Sequence, residues 1–171
     1  MPLAAPDSPD VEHRTDMAVT PQDFREALAR WASGVTVVAY RHDHRVVATT
    51  VSAFMSLSLE PPLVLVGLSA NATVLPFLQP GAAFGISILA GDQKRIATVF
   101  ADPFPVGPSP FPIDGPPVVT DALVGLACTV RESRRGGDHT LVTADVGQLT
   151  SVRDSPSLVR FMRRYYGLPG G

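Results

Sequence analysis

The sequence contains a single cysteine, Cys128, among its 171 residues. An internal disulfide and any metal site built on several cysteines are therefore excluded, and a lone cysteine fits a reducing cytoplasm. Long apolar runs are also absent, since the longest aliphatic stretch, residues 63–68, is far below the roughly 20 residues that a membrane-spanning helix needs. The start of the chain lacks the basic and apolar blocks of a signal peptide. We therefore expect a cytoplasmic protein with no membrane segment.

Charge and catalytic motifs are scarce as well. Lys and Arg number 14, Asp and Glu number 16, and the formal net charge is −2. Without a basic excess, neither nucleic acid nor an anionic membrane is an expected partner. The sequence has no G-x-G-x-x-G, Walker, H-E-x-x-H or G-x-S-x-G motif. A Rossmann or P-loop nucleotide site is therefore not expected.

The residues that are present predict one domain with a short tail. Hydrophobic residues make up 45% of the chain, which supports a single core in residues 20–171, whereas residues 1–19 read as a disordered N-terminal tail. Thr20 and Pro21 mark the start of a helix. Its apolar stripe consists of Phe24, Ala27, Leu28 and Trp31, and this stripe predicts that Trp31 lies in the core.

The rest of the chain reads mostly as strands joined by turns. The predicted strands cover residues 35–40, 46–52, 63–68, 83–89, 122–132 and 140–150, and the apolar run 63–68 is expected to be buried on both faces. Asn71 and Asp92 are candidate caps of short helices. Seven prolines in residues 103–117 predict a long extended loop. This pattern favours a mostly β fold, an antiparallel barrel with a few peripheral helices.

One segment is rich in hydroxyl groups and poor in charge. From Val46 through Gln93 the chain contains no Lys or Arg. A strand that ends at a hydroxyl-rich turn presents N–H groups and hydroxyls together, and these can bind a polar, planar ligand without a counter-charge. The candidate residues are Thr49, Thr50, Ser52, Ser56 and Ser58. The alternative is an ordinary strand followed by a serine-rich loop.

Two further features are candidate ligand sites. Asn71 and Thr73 stand at the start of a predicted helix, whose free N–H groups would suit a phosphate; the alternative is an ordinary N-cap. Farther along, Gly136 and Gly137 permit a tight turn, and Asp138 can orient the imidazole of His139. The alternative for His139 is a solvated loop residue.

Taken together, these elements resemble the flavin reductase-like family, the FMN-binding split-barrel reductases that serve two-component flavin monooxygenases. The matching stretches are residues 24–38, 48–54, 56–63 and 137–140, and they follow in order over roughly residues 22–166. Each motif is weak alone, but their combination is specific. In such enzymes the flavin carries the hydride chemistry and the protein positions nicotinamide C4 over flavin N5, which agrees with the absence of a catalytic dyad or triad.

The resemblance implies an antiparallel split β-barrel and a homodimer. It also implies an enzyme that uses NADH or NADPH to reduce FMN or FAD for a separate monooxygenase. By resemblance, Thr50, Val51, Ser52 and Ala53 lie against the isoalloxazine ring, and Ser56 and Ser58 line it from the following loop. Gly67, Leu68, Ser69, Asn71 and Thr73 lie near the ribityl chain and phosphate. Apart from the resemblance, the lack of cations in residues 46–93 indicates that amides and hydroxyls hold the phosphate, with Lys94 or Arg95 as a supplementary cation. His139 lies at the nicotinamide side of the ring.

The sequence departs from the family pattern at three places, of which Ala48 in place of Gly is harmless in a strand, and two other functions stay open. Residues 144–146 read Ala-Asp-Val where the family has Gly-Glu-Val, and the proline-rich stretch 103–117 is unlike the usual segment. One alternative function is an FMN-dependent oxidase of the pyridoxamine-phosphate type, a family that places Arg and Lys around its substrate phosphate. The other is a non-enzymatic flavin- or haem-binding split barrel.

Overall fold

The computed structural model describes residues 18–168, which form ten strands, two α-helices and one 3₁₀ helix. The elements, in chain order, are α1 (Pro21–Leu28), β1 (Ser33–Gly34), β2 (Thr36–His42), β3 (Arg45–Val51), β4 (Phe54–Leu59), β5 (Pro62–Ser69), the 3₁₀ helix (Leu75–Phe77), β6 (Ala83–Ile88), α2 (Lys94–Val99), β7 (Val124–Gly136), β8 (His139–Val152), β9 (Leu158–Phe161) and β10 (Arg164–Gly167). Residues 1–17 of the predicted tail lie outside the described range. None of the described helices is long and apolar enough to cross a membrane.

The main sheet has seven antiparallel strands in the order β3-β2-β6-β7-β8-β5-β4. Its two end strands, β3 and β4, are consecutive in the chain and are separated only by Ser52 and Ala53. Two residues cannot bridge a flat sheet of this width, so the sheet must curl until its ends meet. The backbone N–H of Gly67 in β5 donates to the carbonyl of Ala53 over 2.8 Å at this junction. The predicted mostly β, antiparallel barrel is confirmed.

A second, three-stranded sheet stands beside the barrel in the order β1-β9-β10. Its β9–β10 hairpin turns through Met162 and Arg163, and the tip is attached to the end of α1 because the Met162 N–H donates to the carbonyl of Ala29 over 2.8 Å. The C-terminal region of the described chain therefore consists of two strands, β9 and β10.

The core has two parts, one on each face of β2. One part is the barrel interior, where Val38 packs with side chains such as Phe84 and Ile86. The other lies outside β2, where Val37 packs with side chains of α2 and the proline-rich segment. Residues 36–39 are thus the stretch buried on both faces. The run 63–68 alternates between buried and half-buried side chains, so its predicted burial on both faces is wrong.

The first helix begins as predicted, with the Thr20 side chain accepting a hydrogen bond from the Asp23 N–H over 3.1 Å. It ends earlier than the apolar stripe suggests, and none of its residues is buried. Trp31 lies beyond the helix and is 74% exposed, so the prediction of a core tryptophan is wrong for the single chain. An apolar stripe indicates that one face of a helix becomes buried, but it does not show whether the same chain or another molecule buries that face.

Three local predictions are wrong, because the residues concerned form contacts other than the expected ones. Residues 54–59, expected as a loop, form strand β4, which pairs with β5. Asn71 does not cap a helix, since the only helical turn there, within the described chain, is the 3₁₀ turn at residues 75–77. Asp92 does not cap α2 either; its carboxylate accepts hydrogen bonds from Arg153 over 2.8 Å, and α2 starts at Lys94 without a side-chain cap.

The proline-rich segment 103–117 has neither helix nor strand, as predicted. It is held at two places. The Phe111 ring packs edge-on against Phe100 with centroids 5.4 Å apart, and Arg41 donates to the carbonyls of Pro112 and Gly115. Phe104, in contrast, is 81% exposed. The segment is therefore anchored in its second half and lies on the surface in its first half.

Candidate functional site

A cleft of about 330 Å³ lies where the two ends of the barrel sheet meet. Its walls come from the end of β3, the two-residue crossing to β4, the end of β5 with the following turn, the segment after α2, and the start of β8. The lining residues are Thr49, Thr50, Val51, Ser52, Ala53, Gly67, Leu68, Ser69, Asn71, Ala72, Thr73, Ala101, Pro103 and His139. No Lys or Arg is among these described lining residues. The cleft is therefore a polar, uncharged surface built from small side chains and hydroxyls.

The end of β3 is fixed from both sides. The Thr36 hydroxyl donates to the carbonyl of Val51 over 2.9 Å, and the Thr50 N–H donates to the carbonyl of Phe100 over 2.8 Å. The Thr50 hydroxyl also donates to the carbonyl of Ala97 over 2.8 Å. Thr50 thus connects the cleft wall to α2. Because its hydroxyl proton is already donated to Ala97, the oxygen can only accept a hydrogen bond from a ligand.

Gly67 forms the floor of the cleft, where its backbone packs closely against Ala53. A Cβ atom at this position would lie 3.0 Å from the Cβ of Ala53, closer than nearly all real Cβ contacts. The two small residues therefore give a low, flat surface at the sheet junction. A flat ring can approach the backbone here, whereas a larger side chain at either position would fill the space.

The turn after β5 supplies the far wall of the cleft. The Ala72 N–H donates to the carbonyl of Ser69 over 2.9 Å, and the Asn71 N–H makes a 3.4 Å contact to the Ser69 hydroxyl. Asn71 and Thr73 line the cleft, and they do so from a turn instead of the predicted helix N-terminus. A phosphate at this wall would be held by turn amides and hydroxyls, without the dipole of a helix.

His139 stands at the first residue of β8, directly opposite Ser69 in the β5–β8 register. Its Nδ1 lies 2.8 Å from the Asp138 carboxylate, and its side chain is 44% exposed. The hydrogen bond to His139 lowers the pKa of Asp138 below its ordinary value. The carboxylate is therefore charged at neutral pH, holds the ring orientation, and leaves Nε2 facing away from Asp138.

Three predicted ligand residues do not line the cleft. Ser56 and Ser58 lie within β4, and Lys94 is an exposed residue at the start of α2. Conversely, Ala72, Ala101 and Pro103 line the cleft and were not predicted. Ala72 stands between two predicted residues, so its position was inferable. Ala101 and Pro103 carry no polar signal, and only the packing of α2 against β3 brings them to the site.

A second, broader groove of about 820 Å³ adjoins the cleft. Ser52, Ala53, Gly67 and His139 line both cavities, so the two share a wall. The opposite side of the groove is formed by α1 and the β9–β10 hairpin, with the apolar side chains Phe24, Leu28 and Trp31 and the cationic side chains Arg25, Arg160 and Arg163. A ligand that reaches His139 from the cleft can continue into this groove.

Asp145 and Cys128 also have shifted pKa values, but neither residue lines the cleft. Asp145 accepts hydrogen bonds from Arg131 at 3.0 and 2.5 Å, which lowers the pKa of Asp145. The pair joins β7 to β8 and does not line the cleft. Cys128 is buried in the barrel, and burial raises the pKa of its thiol to about 12, so the thiol is unreactive.

Residues 28–169 match the family model described as a flavin reductase like domain, and the chain belongs to this flavin reductase-like family. It is 40% identical over 146 residues to the reductase component of 4-hydroxyphenylacetate 3-monooxygenase from Thermus thermophilus, covering 83% of this chain and 93% of that protein. An NADH-dependent flavin reductase from a Rhodococcus species is 42% identical over 142 residues, which covers 78% of this chain and 79% of the relative.

The fold comparison gives the same family. The solved structure of the flavin reductase PheA2 in its native state superposes with a TM-score of 0.79 at 34% identity, covering 88% of this chain and 99% of that one. The predicted family resemblance is confirmed.

The cleft residues fit the flavin that this family uses. The flat floor at Gly67 and Ala53 suits a planar ring, and the hydroxyls of Ser52, Ser69 and Thr73 supply hydrogen-bonding groups along its length. A volume of about 330 Å³ lies at the lower end of the range of roughly 300–1,000 Å³ for small-molecule sites. The cleft is therefore suited to the ring and its ribityl chain.

Proposed function

We propose that the protein is an NADH-dependent flavin reductase that supplies reduced flavin to a separate monooxygenase. The single observation that carries this function is the uncharged, flat-floored cleft at the sheet junction in a chain of the flavin reductase-like family. Relatives described as a monooxygenase reductase component and as an NADH-dependent flavin reductase support the donor and the destination of the electrons.

Each wall of the cleft has its own part in the reaction. Bound flavin, FMN or FAD, supplies the chemistry by accepting a hydride from nicotinamide C4. Thr49, Val51, Ser52 and Ala53 hold one side of the ring system, with Gly67 and Leu68 as its floor. Ser69, Asn71 and Thr73 bind the ribityl and phosphate end. Since no proton must be abstracted from the nicotinamide, the protein contributes binding and orientation only.

His139 is proposed as the positioning residue for the nicotinamide. It lies on the wall shared by the cleft and the groove, and the Asp138 carboxylate fixes one ring nitrogen. The other nitrogen can then form a hydrogen bond to the nicotinamide carboxamide. This arrangement holds the donor ring against the flavin without a general base.

The oxidase alternative is not favoured. The chain matches the flavin reductase like family model, and the relatives that cover most of its length are described as an NADH-dependent flavin reductase and a monooxygenase reductase component. The decisive experiment is a pair of measurements on the purified protein. FMN or FAD fluorescence should be quenched on binding, and NADH should be consumed continuously with free flavin in excess. Quenching without NADH consumption would indicate a non-enzymatic flavin-binding barrel, and the absence of both would refute the function.

We also propose that the protein is a homodimer and acts in the cytoplasm. Met55, Leu57 and Leu59 of the end strand β4 are 49%, 43% and 89% exposed. An end strand with three exposed apolar side chains is a surface that a twofold contact can cover. The cytoplasm is proposed because the lone, buried thiol needs no oxidising compartment.

A further inference from the structure

The groove beside the cleft has cations where the cleft has none. Arg25 of α1, Arg160 of β9 and Arg163 of the β9–β10 turn all line it. Within residues 18–168, none of these three guanidinium groups has a hydrogen bond or an ion pair. Other arginines do have partners, such as Arg131 with Asp145 and Arg153 with Asp92. The three groove arginines therefore form a positive surface that no carboxylate in the described part of the chain neutralises.

The only carboxylate among the described residues that line the groove is Asp138, and it is already hydrogen-bonded to His139. Asp138 lines the groove beside His139 of the shared wall, whereas the arginines stand on the side formed by α1 and the hairpin. The groove thus has one end that holds a nicotinamide ring through His139 and another that attracts anions. A ligand matching both ends carries a ring and a phosphate group.

The position of Arg163 supports a role in binding. Met162 and Arg163 form the two-residue turn of the β9–β10 hairpin with φ values of 47° and 64°. Turns of this kind are usually built from Asn and Gly, because other residues rarely adopt positive φ. An arginine here is not explained by turn preference, but it places a guanidinium group on the groove wall.

We infer that Arg160 and Arg163, with Arg25, bind the pyrophosphate of the nicotinamide dinucleotide while His139 orients its nicotinamide ring. The inference rests on the proposed function and adds the recognition of the donor's second half. Guanidinium groups bind phosphate oxygens through paired, charge-assisted hydrogen bonds, and three of them match a pyrophosphate dianion. Phe24 and Trp31, which are 59% and 74% exposed in the same groove, offer apolar surface for the adenosine end.

The test compares two hydride donors that share the nicotinamide ring. NADH carries the pyrophosphate, and 1-benzyl-1,4-dihydronicotinamide carries no phosphate. Arg160→Ala and Arg163→Gly should each raise KM for NADH by roughly tenfold, as expected for a lost hydrogen bond to a charged group. The same variants should leave KM and kcat for the benzyl donor at the parent values. Raised ionic strength should raise KM for NADH in the parent more than in the variants.

The chain offers a matched control. Arg164→Ala removes the same charge from the same hairpin, but Arg164 does not line the groove, so its KM for NADH should equal that of the parent. Arg163→Gly also guards against misfolding, because glycine adopts the positive φ of this turn without strain. Its melting temperature should therefore not fall below that of the parent.

Several outcomes would overturn the inference. Unchanged KM for NADH in both variants, or an equal rise for the benzyl donor, would show that the arginines do not bind phosphate. A shift in sedimentation with unchanged KM would show that they serve a contact between subunits. If the parent protein reduces flavin with neither donor, the proposed function itself fails and the inference falls with it. If the parent uses both donors and the variants behave like the parent, only this inference fails.

Discussion

At the scale of single residues, His139 has a role that mutation can separate from flavin binding. His139→Ala should raise KM for NADH or slow flavin reduction by a few-fold to about tenfold, because one positioning hydrogen bond is worth about 0.5–1.5 kcal/mol. Flavin affinity, measured by fluorescence quenching, should stay at the parent value. Loss of flavin binding with normal reduction kinetics would show that the histidine contacts the flavin and not the nicotinamide.

Asp138→Asn tests the partner of that histidine. The substitution keeps a group beside Nδ1 but removes the charge that favours one ring orientation. We expect a smaller defect than in His139→Ala, again in NADH kinetics and not in flavin affinity. A larger defect than that of His139→Ala would contradict a purely orienting role for the carboxylate.

How far single residues were predictable depends on how local their signal is. Thr49 to Ser52 stand out because hydroxyls without charge are visible in the sequence. The juxtaposition of His139 with Ser69 depends on pairing between strands far apart in the chain, so only the family resemblance connected them. Lys94 was assigned to the site on charge alone, and the packing of α2 leaves it exposed away from the cleft.

At the scale of elements, the proline-rich segment is packed onto strand β6. A Cβ atom at Gly85 would lie 2.3 Å from the backbone oxygen of Pro117, and the Ser87 hydroxyl accepts from the Val119 N–H over 2.8 Å. Gly85→Ala should therefore cost about 1–3 kcal/mol and lower Tm by several degrees. Gly147→Ala is the control, because its nearest neighbour would be a backbone oxygen at 3.8 Å. Equal melting temperatures for both variants would show that the proline-rich segment can move away from β6 without loss of stability.

The pair of Arg131 and Asp145 gives β7 and β8 a pH-dependent contact. Since the hydrogen bond from Arg131 lowers the pKa of Asp145 in the folded state, the stabilisation is present above the unfolded pKa of about 3.9 and is lost as the pH falls below it. Asp145→Asn should lower Tm slightly at pH 7 and less at pH 3. Asp114→Asn, an exposed position in the proline-rich segment, is the control. A uniform shift of Tm at both pH values would contradict this account.

Strand β4 shows where pattern reading of elements fails. The serines in Phe-Met-Ser-Leu-Ser-Leu favoured a loop, although residues 55–59 alternate between apolar and hydroxyl side chains as a strand does. The strand forms where β5 offers a backbone edge, and the pairing contains a register shift between Ser56 and Ser58. Strands β2, β3, β6, β7 and β8 were predictable because their β-branched and apolar residues form runs that are bounded by turns.

At the scale of the whole molecule, the exposed side chains of β4 predict self-association. Leu57→Glu and Leu59→Glu place charge in the proposed twofold contact and should shift sedimentation from about twice the chain mass toward the 18.1 kDa of one chain. Val106→Glu is the control, because Val106 is 87% exposed on the proline-rich segment, away from β4. A parent protein that sediments as a single chain at micromolar concentration would refute the dimer.

The two-residue crossing from β3 to β4 has a consequence for product release. The interior of the barrel is filled by side chains such as Phe84 and Ile86, so no ligand can occupy it without unfolding. Because Ser52 and Ala53 stand at the junction of the sheet ends, the cleft opens on the outer wall of the barrel. A flavin bound there would be able to dissociate while every strand stays paired. This position suits a flavin that is exchanged as a substrate.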